Sequence, residues 1–97
     1  MQITVQQIQQ IVSNVTKISI EDITSQTRKA NIVQSRHLSM HFSRWYTNLP
    51  MKKIAKLHGK DNHATIIHAD EVISYGIRRD AKLKATYTEI ESQIKNF

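Results

Sequence analysis

Five side chains at the start of one apolar-periodic segment are placed to read a polymer surface: His63, Ala64, Thr65, His68 and Ala69. They follow a short segment from Pro50 to Leu57 and a turn, His58-Gly59-Lys60-Asp61. A short helix, a Gly-containing turn and a second helix form a helix-turn-helix signature. In that motif the second helix puts its N-terminal residues into the major groove of DNA. A helix N-terminus offers free N–H groups and partial positive charge to phosphate. Thr65 can donate to or accept from a base edge, and Ala64 or Ala69 can meet a thymine methyl. No bulky apolar residue stands at 63, 64, 68 or 69, so this face suits close approach.

Other chemistries find less support. His37 and His41 are four apart, on one helical face, where they could chelate a metal. His63 and His68 are five apart, and no carboxylate completes a helical ligand set. No metal and no cofactor are expected; the histidines read as partly exposed polar groups near phosphate, gaining charge below about pH 6.5. The chain has no cysteine, which excludes a disulfide framework, a thiolate metal site and a cysteine nucleophile. Ser and Thr residues have no evident base partners, and Gly59-Lys60 lacks the rest of a phosphate-binding loop. An enzyme is not expected.

Charge identifies the partner class. The 97 residues carry a formal charge of +6. Residues 23–60 hold eight basic residues, Arg28, Lys29, Arg36, Arg44, Lys52, Lys53, Lys56 and Lys60, and no acidic one. The remainder holds six basic and eight acidic residues, a net of −2. A confined basic block points to a polyanion, with nucleic acid first and an acidic membrane surface or protein next. No apolar run approaches the ~20 residues that span a bilayer. Neither a membrane nor a secretory signal is called for, and a cytoplasmic location is expected.

The elements that must position these residues read as helices. Two Gly and one Pro are few for a β fold. Val5, Ile8, Val12 and Val15 repeat at helical spacing behind Thr4, predicting a helix over about 4–16. Ser19 can cap a short turn at Ile20-Glu21-Asp22-Ile23. Residues 24–29 are polar and read as a loop. A long helix over about 30–47 carries a stripe of Leu38, Phe42, Trp45 and Leu49, with Ile32, Met40 and Tyr46 on other faces. A helix apolar on several sides is central. Pro50 opens a helix over about 50–57 that buries Met51, Ile54 and Leu57 and exposes Lys52, Lys53 and Lys56. Asn62 is positioned to cap the next, running to about Gly76 with Ile66, Ile73 and Ile77 inward. Asp80 caps a last helix striped by Leu83, Tyr87, Ile90 and Ile94. The fold class is all-α, about six helices, with a central helix-turn-helix at about 50–76 and a basic loop at 24–30, in one domain over 1–97.

The run Gly59-Lys60-Asp61-Asn62-His63-Ala64-Thr65-Ile66-Ile67-His68-Ala69 resembles the signature of the C-terminal DNA-binding domain of the bacterial replication initiator DnaA, commonly Gly-Gly-Arg-Asp-His-Thr-Thr-Val-Leu-His-Ala. The likeness extends without a gap through Arg28, Arg36 and Thr47-Asn48, covers about 3–77, and fades in the last helix. It implies a Trp-repressor-like helical domain that binds double-stranded DNA at a nine-base-pair element, the DnaA box, in replication initiation or its regulation. A full-length initiator or another replication protein is a further partner that it implies.

By that resemblance Arg28 enters the minor groove. Asn62, His63, Ala64 and Thr65, with Ala69 one turn on, read the major groove. Arg36 and His68 match phosphate-contacting positions, and Lys52, Lys53 and Lys60 join them by charge. His37, standing where the family has Gln, completes the DNA-binding set. Three departures stand out. Asp61-Asn62 replaces Arg-Asp, Ala64 replaces a Thr, and Val72 replaces a basic residue. A good base contact discriminates by ~1–3 kcal/mol, so the missing Thr hydroxyl alters one position of the site without abolishing binding. Three alternatives remain. One is a helical module that binds an acidic partner through Trp45 and the basic face. Another is a non-specific nucleic-acid binder, which would bind scrambled duplex equally well. The third is a small stand-alone DNA-binding regulator, able to occupy boxes but not to melt an origin.

Overall fold

A computed structural model describes residues 2–97. Six helices follow one another: α1 Val5–Thr16, α2 Ile20–Ile23, α3 Ala30–Tyr46, α4 Met51–Leu57, α5 Ala64–Gly76 and α6 Ala81–Lys95. No strand occurs among the described residues.

Side chains cap the N-termini of α1, α2 and α6. Thr4 and Gln7 cap α1 reciprocally, the Thr4 hydroxyl accepting from the Gln7 N–H and the Gln7 carboxamide from the Thr4 N–H. Lys17, in the left-handed region at φ 65°, ends it. Ser19 caps α2 through the Asp22 N–H, and Asp80 caps α6 through the Lys82 and Leu83 N–H groups. Capping by Asn62 takes another form. α5 begins two residues after it, and the Asn62 carboxamide oxygen accepts from the Ala64 N–H at 2.8 Å. The Asn closes a turn ahead of the helix and still satisfies one of its first donors.

Two apolar clusters hold the helices, and α3 lies between them. Leu38 and Phe42 join Ile8, Val12, Ile23, Ile73, Leu83, Ile90 and Ile94 in the first. Met40 joins Val5, Ile54, Ala55, Ile66 and Ala69 in the second, beneath α4 and α5. At 100° per residue, position 40 faces away from 38 and 42. This is why α3 is apolar on several sides. Each large side chain fully buried stabilises by ~1.5–3 kcal/mol. The stripes of α1 and α6 pack as their spacing predicts, with Val15 and Tyr87 only partly buried. The α3 stripe does not hold to its end: Trp45 is 60% exposed and Leu49, beyond the helix, 41%.

Candidate nucleic-acid interface

The loop at 24–29 is folded around a cation. Arg36, from the second turn of α3, donates from Nε to the Ile23 carbonyl at 2.8 Å. Its Nη2 donates to the Thr27 carbonyl at 3.1 Å, the Asp22 carbonyl at 3.3 Å and the Ser25 hydroxyl at 3.5 Å. The planar guanidinium has enough donors, in the right fork, to gather several carbonyls at once. Arg28, one residue past the gripped Thr27 carbonyl, is left exposed. Arg36 itself is only 4% exposed. Its expected place as a surface phosphate contact is therefore corrected: the residue is buried, and its Nε and Nη2 are taken by three backbone carbonyls and the Ser25 hydroxyl.

The other face of the loop meets the turn between α4 and α5. Gly59, at φ 78°, takes a conformation that favours glycine, and a Cβ there would collide with the Thr24 carbonyl oxygen. The Gln26 carboxamide donates to the Gly59 carbonyl at 2.6 Å and accepts from the Lys60 ammonium at 2.8 Å.

These contacts gather positive groups from three elements. Burial, then the neighbouring Arg36 and Arg28, lowers the Lys60 ammonium from its usual range. Burial first, then His68, Arg36 and Lys60, pushes His37 down to about 4. The His37 and His68 rings meet edge to face at 5.5 Å. Arg28, Arg36 and Lys60 thus share one region of positive potential, which an anion would relieve, and the paired His37 and His68 rings lie beside it.

Beside it α5 presents Asn62, His63, Ala64 and His68, all exposed, and Thr65, half-buried. Its N-terminus is less open than a bare helix end. The Ala64, Thr65 and Ile66 N–H groups already donate, to the Asn62 side chain, the Asn62 carbonyl and the His63 carbonyl. The helix dipole remains, while free amides for phosphate are fewer than expected. The Thr65 hydroxyl donates to the Asn62 carbonyl at 2.7 Å and keeps its acceptor capacity. Ala69 is corrected. It is fully buried in the cluster beneath α4 and α5, between Ile66 and Ile73 on the same helical face, and cannot reach a base. Lys52, Lys53 and Lys56 stand exposed on the outer face of α4.

Two histidines are also corrected. His58 and His41 are buried rather than partly exposed. His58 Nδ1 lies 2.8 Å from the Ile54 carbonyl, which can only accept, so Nδ1 carries the proton and Nε2 accepts from the Ser39 hydroxyl at 2.7 Å. Burial pushes His58 down to about 4, against the opposing pull of the Ile54 carbonyl. His41 bonds Asp70 at 2.6 Å and the Tyr87 hydroxyl at 2.9 Å. Asp70 also accepts from Arg44 at 3.1 Å and from the Trp45 indole at 2.7 Å. The indole is thereby anchored while its ring stays exposed, beside the Arg44 guanidinium at 5.1 Å. No group of three or more His, Cys, Asp or Glu among the described residues is placed to hold a metal.

Sequence reasoning missed Gln26. It is one polar residue in a polar loop, 33 positions from its carbonyl partner, and carries no local signal.

The short α4, the turn at Gly59 and the exposed start of α5, flanked by a basic loop, define a helix-turn-helix DNA-binding domain. Residues 5–73 match the family described as bacterial DnaA protein helix-turn-helix, and the chain belongs to that family. The family supports DNA binding in replication initiation. The match ends before α6. Among the described residues, no helix is long and apolar enough to cross a membrane.

Proposed function

We propose that this chain, acting as one domain, binds duplex DNA sequence-specifically at an element like the DnaA box, in replication initiation or its regulation. The observation that carries the reading is the direct seam between the arginine loop and the helix-turn-helix turn. One rigid surface then offers a minor-groove probe and a major-groove helix together. Arg28 enters the minor groove. His63, Ala64 and Thr65 face base edges, with the free NH2 of Asn62 beside them. Lys52, Lys53, Lys60 and His68 meet phosphates, with His37 supporting His68. Arg36 acts from within, by shaping the loop. Ala64 cannot hydrogen-bond through its side chain, so the preferred site differs from the family's at one position or tolerates more bases there.

The division of labour is tested by comparing Arg28→Ala with Lys52→Ala on box and scrambled duplexes. Arg28→Ala should reduce discrimination between them. Lys52→Ala should weaken both about equally and lower the salt slope by about 0.9. Indistinguishable variants would show the assignment to be wrong.

A further inference from the structure

The arginine loop and the recognition helix belong to segments more than thirty residues apart, yet a duplex must be read by both in one register. Arg36 grips the loop from inside, through the Ile23 and Thr27 carbonyls. That grip fixes the loop to α3 and makes no hydrogen bond to the turn before α5. The outer edge meets the turn, and both side-chain hydrogen bonds across that seam among the described residues are made by Gln26. Its partners are well anchored. The Gly59 N–H donates to the Lys56 carbonyl at 3.0 Å and the Lys60 N–H to the Ala55 carbonyl at 2.9 Å, tying both to the end of α4. Two residues beyond Lys60 stands Asn62, which organises the start of α5.

The carboxamide suits this seam. It must donate to a carbonyl and accept from an ammonium at once. A Lys or Arg at 26 would serve the carbonyl and repel Lys60; a carboxylate would hold Lys60 and lose the donor to Gly59.

Resting on the DNA-reading function proposed above, we infer that Gln26 is a positioning residue that sets the register between the Arg28 loop and the recognition helix, and so contributes specificity without touching a base. Recognition groups need placement within about 0.5 Å to keep their contacts. A loop free to swing must be ordered at the moment of binding, which weakens the specific complex.

The test uses the whole chain with Gln26→Ala and Gln26→Glu. The free proteins are compared by amide ¹⁵N relaxation. Affinities are measured for box and scrambled duplexes at ~150 mM salt. Gln26→Ala should make the amides of Thr27 to Lys29 more mobile and weaken box binding about tenfold. Its binding to the scrambled duplex should stay within about twofold, since no positive charge is removed. Gln26→Glu keeps the Lys60 contact but adds a negative charge, so it should weaken binding to both duplexes, with a box-to-scrambled ratio between those of the parent and Gln26→Ala. Gln26 is exposed and carries no core packing, so melting should be unchanged in both variants. A parent that discriminates and a Gln26→Ala variant that discriminates equally overturn the role of Gln26 alone. So does equal weakening on both duplexes. A parent with no preference for the box overturns the DNA-reading function itself.

Discussion

Replacing Arg36 with Met should destabilise the protein by about 3 kcal/mol and abolish most of its preference for a box-bearing duplex. The stability effect follows from what the guanidinium holds. Hydrogen bonds to charged groups are worth ~1.5–3 kcal/mol each, and Arg36 gives its Nε and Nη2 to three backbone carbonyls and the Ser25 hydroxyl. Water can reach parts of the opened loop, which keeps the loss near one strong bond and a partial one. The specificity effect follows from geometry. Without the guanidinium, residues 24–29 lose the centre around which they fold, and Arg28 loses its place. Arg36→Lys should not rescue either effect, because an ammonium lacks the planar fork. Urea denaturation reads the first effect, and the box-to-scrambled affinity ratio reads the second. A stability change below about 0.5 kcal/mol, the level of an ordinary surface substitution, would show that the carbonyl contacts do not hold the loop.

Acid should weaken the fold well before its carboxylates are protonated. His58 titrates at about 4 in the folded chain, against 6.5 for the ordinary group. The unfolded chain therefore takes up the proton first. Stability is intact above about pH 6.5, falls as pH drops from there toward 4, and levels off below, as far as His58 is concerned. The physical cause is burial, with the Ile54 carbonyl opposing it and the nearby Arg36 guanidinium adding to it. A second ring proton at Nε2 would face the Ser39 hydroxyl, which now donates to that nitrogen, in a site that excludes water. His37 is likewise pushed down to about 4, and His41 is lowered by burial, so both act in the same direction. His58 alone should contribute about 2 kcal/mol of lost stability between pH 7 and 4.5. The control removes both side-chain partners, His58→Leu with Ser39→Ala; the Ile54 carbonyl loses its donor, a cost that does not vary with pH. Its unfolding free energy should depend less on pH by that amount. A parent whose stability is flat over this window, or a double variant with the parent's full slope, would contradict the assignment.

Much of the fold was legible because its signals are local. The stripes of α1 and α6 and the caps Thr4, Ser19 and Asp80 each need only a few neighbouring residues, and the structure has them as read. The central place of α3 was also legible, from apolar residues on opposing faces. What sequence concealed were polar side chains whose partners are remote. Ser39 meets His58 across 19 positions, His41 meets Asp70 across 29, and Gln26 meets Gly59 across 33. Nothing near His58 announces that its imidazole is a core group. Arg36 misled for a related reason: the resemblance matched it to a phosphate-contacting position, and only the folded loop supplies the carbonyls that bury it. Ala69 was a different failure. Its spacing between Ile66 and Ile73 already placed it on the inner face of α5, and its small size suited a groove equally well. Periodicity was the better guide.

The central claim is that uncharged groups on α5 and the fixed Arg28 loop discriminate among sequences, while the surrounding cations supply affinity. Fluorescence anisotropy of the whole chain with labelled box-bearing and scrambled duplexes, at ~150 mM salt, tests it most directly. Specific sites are bound ~10³–10⁷-fold tighter than non-specific DNA. Even though the Ala64 methyl makes no hydrogen bond to a base, the chain should prefer the box by on the order of 100-fold or more. Equal affinity for the two duplexes would contradict the account and leave a basic surface that binds any polyanion.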